Sequence, residues 1–186
     1  MSSAPASEGL NRDLLGRMYK AGAVFASPDE IVAYAQATDD DNPAYTNTSQ
    51  EGGLMASPVY AVRPLMQAVG MCVADKELNA DLLRLVHGEQ EMIFHRPVRA
   101  WDLLTPRAEV FAIEDKSSGQ LLKCKQYLWA DGELVNETIS GYFIRGTKPE
   151  GNGVSKSVSE PAPESGSKLV FEQAYTVTDD QPMRYA

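Results

Sequence analysis

Apolar and polar positions change rhythm half-way along the chain. Leu85 to Val98, Thr105 to Glu114, Leu121 to Ala130 and Leu134 to Arg145 alternate and carry β-branched or aromatic residues, so each predicts a strand. Ser117-Ser118-Gly119 and Asp131-Gly132 lie between them as hairpin turns. The first half reads differently. Tyr19 to Ala26 is a short apolar-leaning run, expected to be a first strand. Ser27-Pro28-Asp29-Glu30 then announces a helix, with Ser27 as N-cap, Pro28 at the first helical position and Glu30 completing a capping box. That helix is predicted to run to about Ala37, with Ile31, Tyr34 and Ala35 on one face. After the Gly52-Gly53 turn, Pro58 to Ala74 reads as a long helix whose apolar residues cover most of its circumference. A helix of that kind is expected to be surrounded by other structure, and Pro64 inside it is expected to kink it. Strand, helix, long buried helix and meander together predict an α+β fold, one antiparallel sheet curled around an apolar helix.

The flanks carry less pattern. Met1 to about Arg17 reads as a flexible lead, residues 18–146 as the folded domain, and Gly146 to Lys168, rich in Gly, Ser, Pro and Glu, as a linker. Beyond the linker, Ala174 to Ala186 aligns without a gap on Ala23 to Ala35. Identities fall at Ala23/Ala174, Asp29/Asp180, Tyr34/Tyr185 and Ala35/Ala186, while Thr178 and Gln181 replace Ser27 and Glu30 and so preserve the helix-start grammar. Residues 169–186 are therefore expected to begin a second, truncated copy of the same unit.

Composition narrows the function classes. Of 186 residues, 43% are hydrophobic and 23% charged, as in a globular domain. No apolar run approaches the ~20 residues that span a bilayer, and the N-terminus shows no basic region followed by an apolar core. The net charge of −9 argues against a nucleic-acid partner. Cys72 and Cys124 lie in apolar segments and read as buried, reduced thiols, which suits the cytoplasm. No nucleophile elbow, phosphate loop or dinucleotide fingerprint occurs. His87 and His95 are eight apart, roughly 26 Å along a strand. They are expected to share one face as edge or interface residues and are too far apart to share a metal.

The richest chemical phrase is Thr38-Asp39-Asp40-Asp41-Asn42-Pro43-Ala44-Tyr45. It resembles the hydratase loop of the MaoC-like hotdog family, Gly-Asp-x-Asn-Pro-(Leu/Ile)-His, in which Asp and His activate water for addition to an enoyl thioester. Gly52-Gly53-Leu54-Met55-Ala56-Ser57-Pro58 is similar to that family's entry to its central helix. His87 to Val98 is similar to its His-Gly-Glu-Gln strand, and Trp101-Asp102 stands at its Gly-Asp turn. The resemblance covers about Tyr19 to Gly146 and is nearest to fatty-acid-synthase-type dehydratase halves of two-hotdog proteins. It implies a hotdog fold, with a substrate that is an acyl thioester of coenzyme A or an acyl-carrier protein. It also implies a second hotdog as partner, and neither cofactor nor metal.

Carried onto this chain, the family's Asp falls on Asp40 and its His on Tyr45. An imidazole titrates near pH 6.5 and exchanges protons at neutrality, whereas an ordinary phenol, near 10, stays protonated. The dyad Asp40/Tyr45 is thus expected to be degenerate, with Tyr45 donating a hydrogen bond and Asp40 either a dyad partner or a turn cap. The expected substrate-binding residues are Asn42, Gly53, Leu54, Met55, Ala56 and Arg96. Asn42 also reads as a loop-holding residue, the amides after Gly53 as an oxyanion site, and Arg96 as a carrier-phosphate contact or a solvated side chain. The functions implied are an enoyl-thioester hydratase or 3-hydroxyacyl-thioester dehydratase domain that is weak or inactive alone, a non-catalytic structural half, or a thioesterase with Asp40 as base.

Overall fold

The computed structural model describes residues 9–49, 51–147 and 171–185. Nearly all of the expected linker, as well as Met1 to Glu8 and Ala186, lies outside them. Two short strands, β1 (Met18–Lys20) and β2 (Val24–Phe25), replace the single strand expected at Tyr19 to Ala26. They are followed by α1 (Pro28–Ala37), α2 (Pro43–Thr46), α3 (Val62–Val73), β3 (Leu85–Phe94), β4 (Leu103–Lys116), β5 (Gly119–Ala130), β6 (Glu133–Arg145) and α4 (Gln181–Tyr185). One antiparallel sheet runs in the order β1-β4-β5-β6-β3, and β2 also pairs with β4. The sheet curls over one face of α3 in a hotdog fold, as the alternation predicted.

Local chemistry explains the elements. Ser27 Oγ accepts from the Glu30 amide at 3.3 Å, which starts α1 at Pro28. Asp131 and Gly132 both take positive φ, 51° and 86°, and close the β5–β6 hairpin as a primed turn. The expected long helix divides: Pro58–Ala61 is a 3₁₀ turn and α3 begins at Val62. Pro64 therefore falls in the first α-turn, where a missing N–H costs no intrahelical bond.

Two expectations need correction. The lead is ordered from Gly9, because Leu10 and Leu14, one helical turn apart, are both buried. The Leu10 amide donates to Gln120 Oε1 at 2.7 Å, and the Gly16 amide donates to the Val110 carbonyl, closing the chain onto β4. And α3 is not surrounded by its own chain. Leu65, Ala68, Val69 and Cys72 face the sheet, while Val59 of the preceding turn, Met66 and Met71 are exposed. Beside them β3 is an unpaired sheet edge, with Val86, Ile93 and Phe94 exposed.

The core has two apolar ends. One gathers Leu10, Leu14, Leu78, Cys72, Leu122, Cys124 and Ile144; the other Ile31, Leu54, Leu65, Leu104, Leu128 and Val135. A buried polar strip lies across the sheet between them. Gln126 donates to Ser140 at 2.6 Å, Thr138 donates to Asn136 Oδ1 at 2.8 Å, and Asn136 donates to the Ile93 carbonyl at 3.1 Å. Cys72 and Cys124 meet at the first end, Sγ to Sγ 3.5 Å, as buried free thiols.

Candidate functional site

The loop after α1 is built by its own polar side chains. The Thr38 hydroxyl donates to the Tyr34 and Ala35 carbonyls and closes the helix. Asp40 Oδ1 accepts from the Asn42 amide at 3.1 Å, an Asx turn. Asn42 Oδ1 in turn accepts from the Ala44 amide at 3.0 Å and caps α2, whose first residue is Pro43. Asp40 and Asn42 thus hold the loop, and α2 carries Tyr45 to one wall of a cavity.

That cavity, about 270 Å³, lies between the entry to α3 (Met55 to Ala61), the end of β3 with the turn after it (Phe94 to Val98), and Val135 and Asn136 of β6. Its exposed lining is mostly apolar. Of the residues expected from sequence, Tyr45, Met55, Ala56 and Arg96 line it; Asp40, Asn42, Gly53 and Leu54 are not among its lining. Leu54 is instead buried in the neighbouring core, its carbonyl accepting from the Ala100 amide. Gly53, at φ 79°, shapes the turn that leads in.

The polar groups around the cavity are largely spent. The Met55 amide donates to the Ala44 carbonyl at 3.1 Å and the Ala56 amide to the Val98 carbonyl at 2.8 Å, so these two are not free oxyanion donors. Arg96 donates to Asp102 at 2.7 Å, to Glu133 at 2.9 Å and to the Pro97 carbonyl. Partial burial opposes its charge, yet the carboxylates of Asp102 and Glu133 outweigh that and hold its pKa above the ordinary value. Arg96 is therefore a structural clamp around Asp102, whose Oδ2 also accepts from the Arg99 amide. His95 Nε2 pairs with Glu137 at 3.1 Å, and Asn136 belongs to the polar strip. Of the side chains lining the cavity, Ser57 has a buried hydroxyl without a partner, and Tyr45 stands half-buried at the wall.

His87 and His95 do not share the strand face that the spacing predicted. A β-bulge between His87 and Glu89 inserts a residue and breaks the alternation on which a shared face depends. His87 stacks on Tyr142, ring centroids 5.1 Å apart, while His95 lies beyond β3 at the cavity. Among the described residues no group of His, Cys, Asp or Glu is arranged to hold a metal.

Residues 13–138 match the model of the FAS1-like dehydratase domain region. This chain belongs to that family. Asp39 and Trp101, where the resemblance places glycine, take φ 53° and 71°, the left-handed region that glycine enters freely. The chain is 30% identical over 149 residues to a UPF0336 protein of Thermobifida fusca, an alignment spanning 76% of this chain and 98% of that one. Its fold is similar to a MaoC-like dehydratase from Phytophthora capsici, with TM-score 0.72 at 22% identity, covering 95% of this chain and 63% of that one. It is also similar to a HadBC (3R-hydroxyacyl-ACP dehydratase) complex of Mycobacterium tuberculosis, with TM-score 0.56 at 21% identity over 72% of this chain and 99% of that one. These likenesses make the protein a MaoC-like hotdog dehydratase-family domain.

Sequence reasoning missed Ser57 and the role of Asp39. Asp39 accepts from Arg184 at 2.8 Å and from the Tyr175 phenol, so residues 171–185 are tied to the loop. Arg184 and then Tyr175 depress the Asp39 pKa below the ordinary carboxylate range. The signal was available in outline, since an Asp in place of a turn glycine asks what its carboxylate holds.

Proposed function

We propose that this chain is the substrate-binding hotdog of an enoyl-thioester hydratase/3-hydroxyacyl-thioester dehydratase. Its substrates are acyl thioesters of coenzyme A or an acyl-carrier protein, and its own acid–base dyad is degenerate. The observation that carries the reading is Tyr45. It brings a phenol to the cavity wall where relatives of the MaoC type place an imidazole, while the Asp40 carboxylate is turned to its own loop. A phenol donates a hydrogen bond to a substrate oxygen but is a poor base at neutral pH. The proton transfers then belong to a second hotdog.

The pairing reading has its own support. The open β3 edge and the exposed Val59 and Met66, which line one groove with His87 and Gln90 of β3, offer a surface that a second sheet would cover. Residues 171–185 open like a second copy: α4 begins at Gln181, the counterpart of Glu30 in α1. Tyr34 and Tyr185, equivalent in the alignment, touch each other, hydroxyl to hydroxyl 3.2 Å. Equivalent residues meet at a two-fold axis. The paired thiols, unjoined at 3.5 Å, suit the cytoplasm as compartment.

Two assays test the reading. Hydration of crotonyl-CoA by the chain alone is expected to run about 10²- to 10⁴-fold below a competent enzyme, the usual loss with a missing acid–base group. Hydrolysis of butyryl-CoA, the thioesterase reaction, is expected to be absent. Full hydratase turnover that Asp40→Ala abolishes would overturn the reading, and so would steady thioester hydrolysis.

A further inference from the structure

The cavity at the entry to α3 holds a side-chain donor that no other residue uses. Ser57 stands immediately before the 3₁₀ turn Pro58–Ala61, in the N-cap position, yet its hydroxyl makes no cap bond. The residue is 6% exposed and Oγ has no hydrogen-bond partner. A buried hydroxyl without a partner loses its hydration and gains no hydrogen bond in return. A residue with no polar duty at this position would be expected to be alanine or another small apolar one. Several neighbouring donors are already engaged. The Met55 and Ala56 amides serve backbone carbonyls, residue 58 is proline and has no N–H, and the Tyr60 amide donates to the Ser57 carbonyl at 3.0 Å. Arg96, His95 and Asn136 are each paired within the protein.

We infer that the Ser57 hydroxyl, covered in this conformation, turns about its χ1 to hold the carbonyl oxygen of a short acyl thioester in this cavity, a duty that the loop resemblance assigned to backbone amides. The inference rests on the acyl-thioester reading above and adds to it the residue and the size of the acyl group. A thioester carbonyl is neutral and only accepts, and Ser57 offers one free O–H donor. No unpaired charge faces the cavity among the described residues, so a free carboxylate would find no counter-ion there. The volume, about 270 Å³, is below the ~300–1,000 Å³ of drug-sized sites, which suits a short acyl group rather than a long chain. Tyr45 opens on the same space and its phenol supplies a second donor at the cavity wall.

The experiment is calorimetric titration of the full chain and of Ser57→Ala with three probes: crotonyl-CoA, S-butyl-CoA, which is a thioether without the carbonyl, and coenzyme A itself. The wild type is expected to prefer crotonyl-CoA to both others. Ser57→Ala is expected to weaken crotonyl-CoA about three- to tenfold, the worth of one neutral hydrogen bond, and to leave S-butyl-CoA unchanged. A melting temperature no lower than that of the wild type shows that the variant still folds. Equal loss for both acyl and alkyl probes, or no loss for crotonyl-CoA, overturns the role of Ser57 while leaving acyl binding intact. A wild type that binds crotonyl-CoA no better than coenzyme A sinks the acyl-cavity reading itself.

Discussion

The two ends of the core differ in how completely they are closed. Around Leu122, Cys124 and Ile144 the ordered Leu10 and Leu14 seal the sheet, and the side chains there are fully buried. Around Leu54, Leu104 and Val135 the same sheet is equally apolar, but the entry to α3 stands off from it, leaving a cavity beside the buried, unpaired Ser57 hydroxyl. The first end is organised for stability. The second gives up contact at the cavity and a hydrogen bond at Ser57, beside the loop that resembles a catalytic one. The contrast is one of closure, and the proposed site lies at the less closed end.

Substitutions should separate the ends. Leu122→Ala, in the sealed end, is expected to cost about 2–5 kcal/mol through lost burial and a cavity, read by denaturant unfolding. Arg96→Ala leaves Asp102, mostly buried, with the Arg99 amide as its remaining described partner. It is expected to cost about 1–3 kcal/mol. An unchanged midpoint would show that Arg96 is free for a ligand after all. Ser57→Ala at the open end is expected to be neutral or to stabilise by up to about 1 kcal/mol, because it removes an unpaired buried hydroxyl. A loss of stability there would erase the contrast. Trp101→Gly relieves a left-handed, exposed residue and is expected to gain at most about 1 kcal/mol.

The smallest effect concerns residues 171–185. Arg184→Ala should raise hydrogen exchange in the Thr38 to Asn42 loop with little change in global unfolding. Because the folded Asp39 pKa is depressed, its contribution is in place above the unfolded value, ~3.9, and is lost as pH falls through the folded one. Loop protection that Arg184→Ala leaves unchanged would contradict the tie.

The alternating strands and the capped α1 were legible because each rests on local rules: side-chain period, turn residues and an N-cap. Tyr45 was legible because the register on Asn42-Pro43 is short and unbroken. What escaped depends on partners distant in sequence. Leu10 looks like any residue of a polar lead until β4 and β5 supply its core. Met55 and Ala56 look like free amides until Ala44 and Val98 take them. The shared face expected for His87 and His95 failed on a single bulged residue, Gly88, that no alternation pattern announces. Ser57 was passed over because an unpaired hydroxyl is visible only after every neighbour has been counted.

The central claim is that this domain binds an acyl thioester without performing the acid–base step. Binding and hydration of crotonyl-CoA measured on one sample of the chain test it most directly. The account predicts saturable binding with hydration about 10²- to 10⁴-fold below a competent hydratase. Full-rate hydration, or no binding at all, would contradict it.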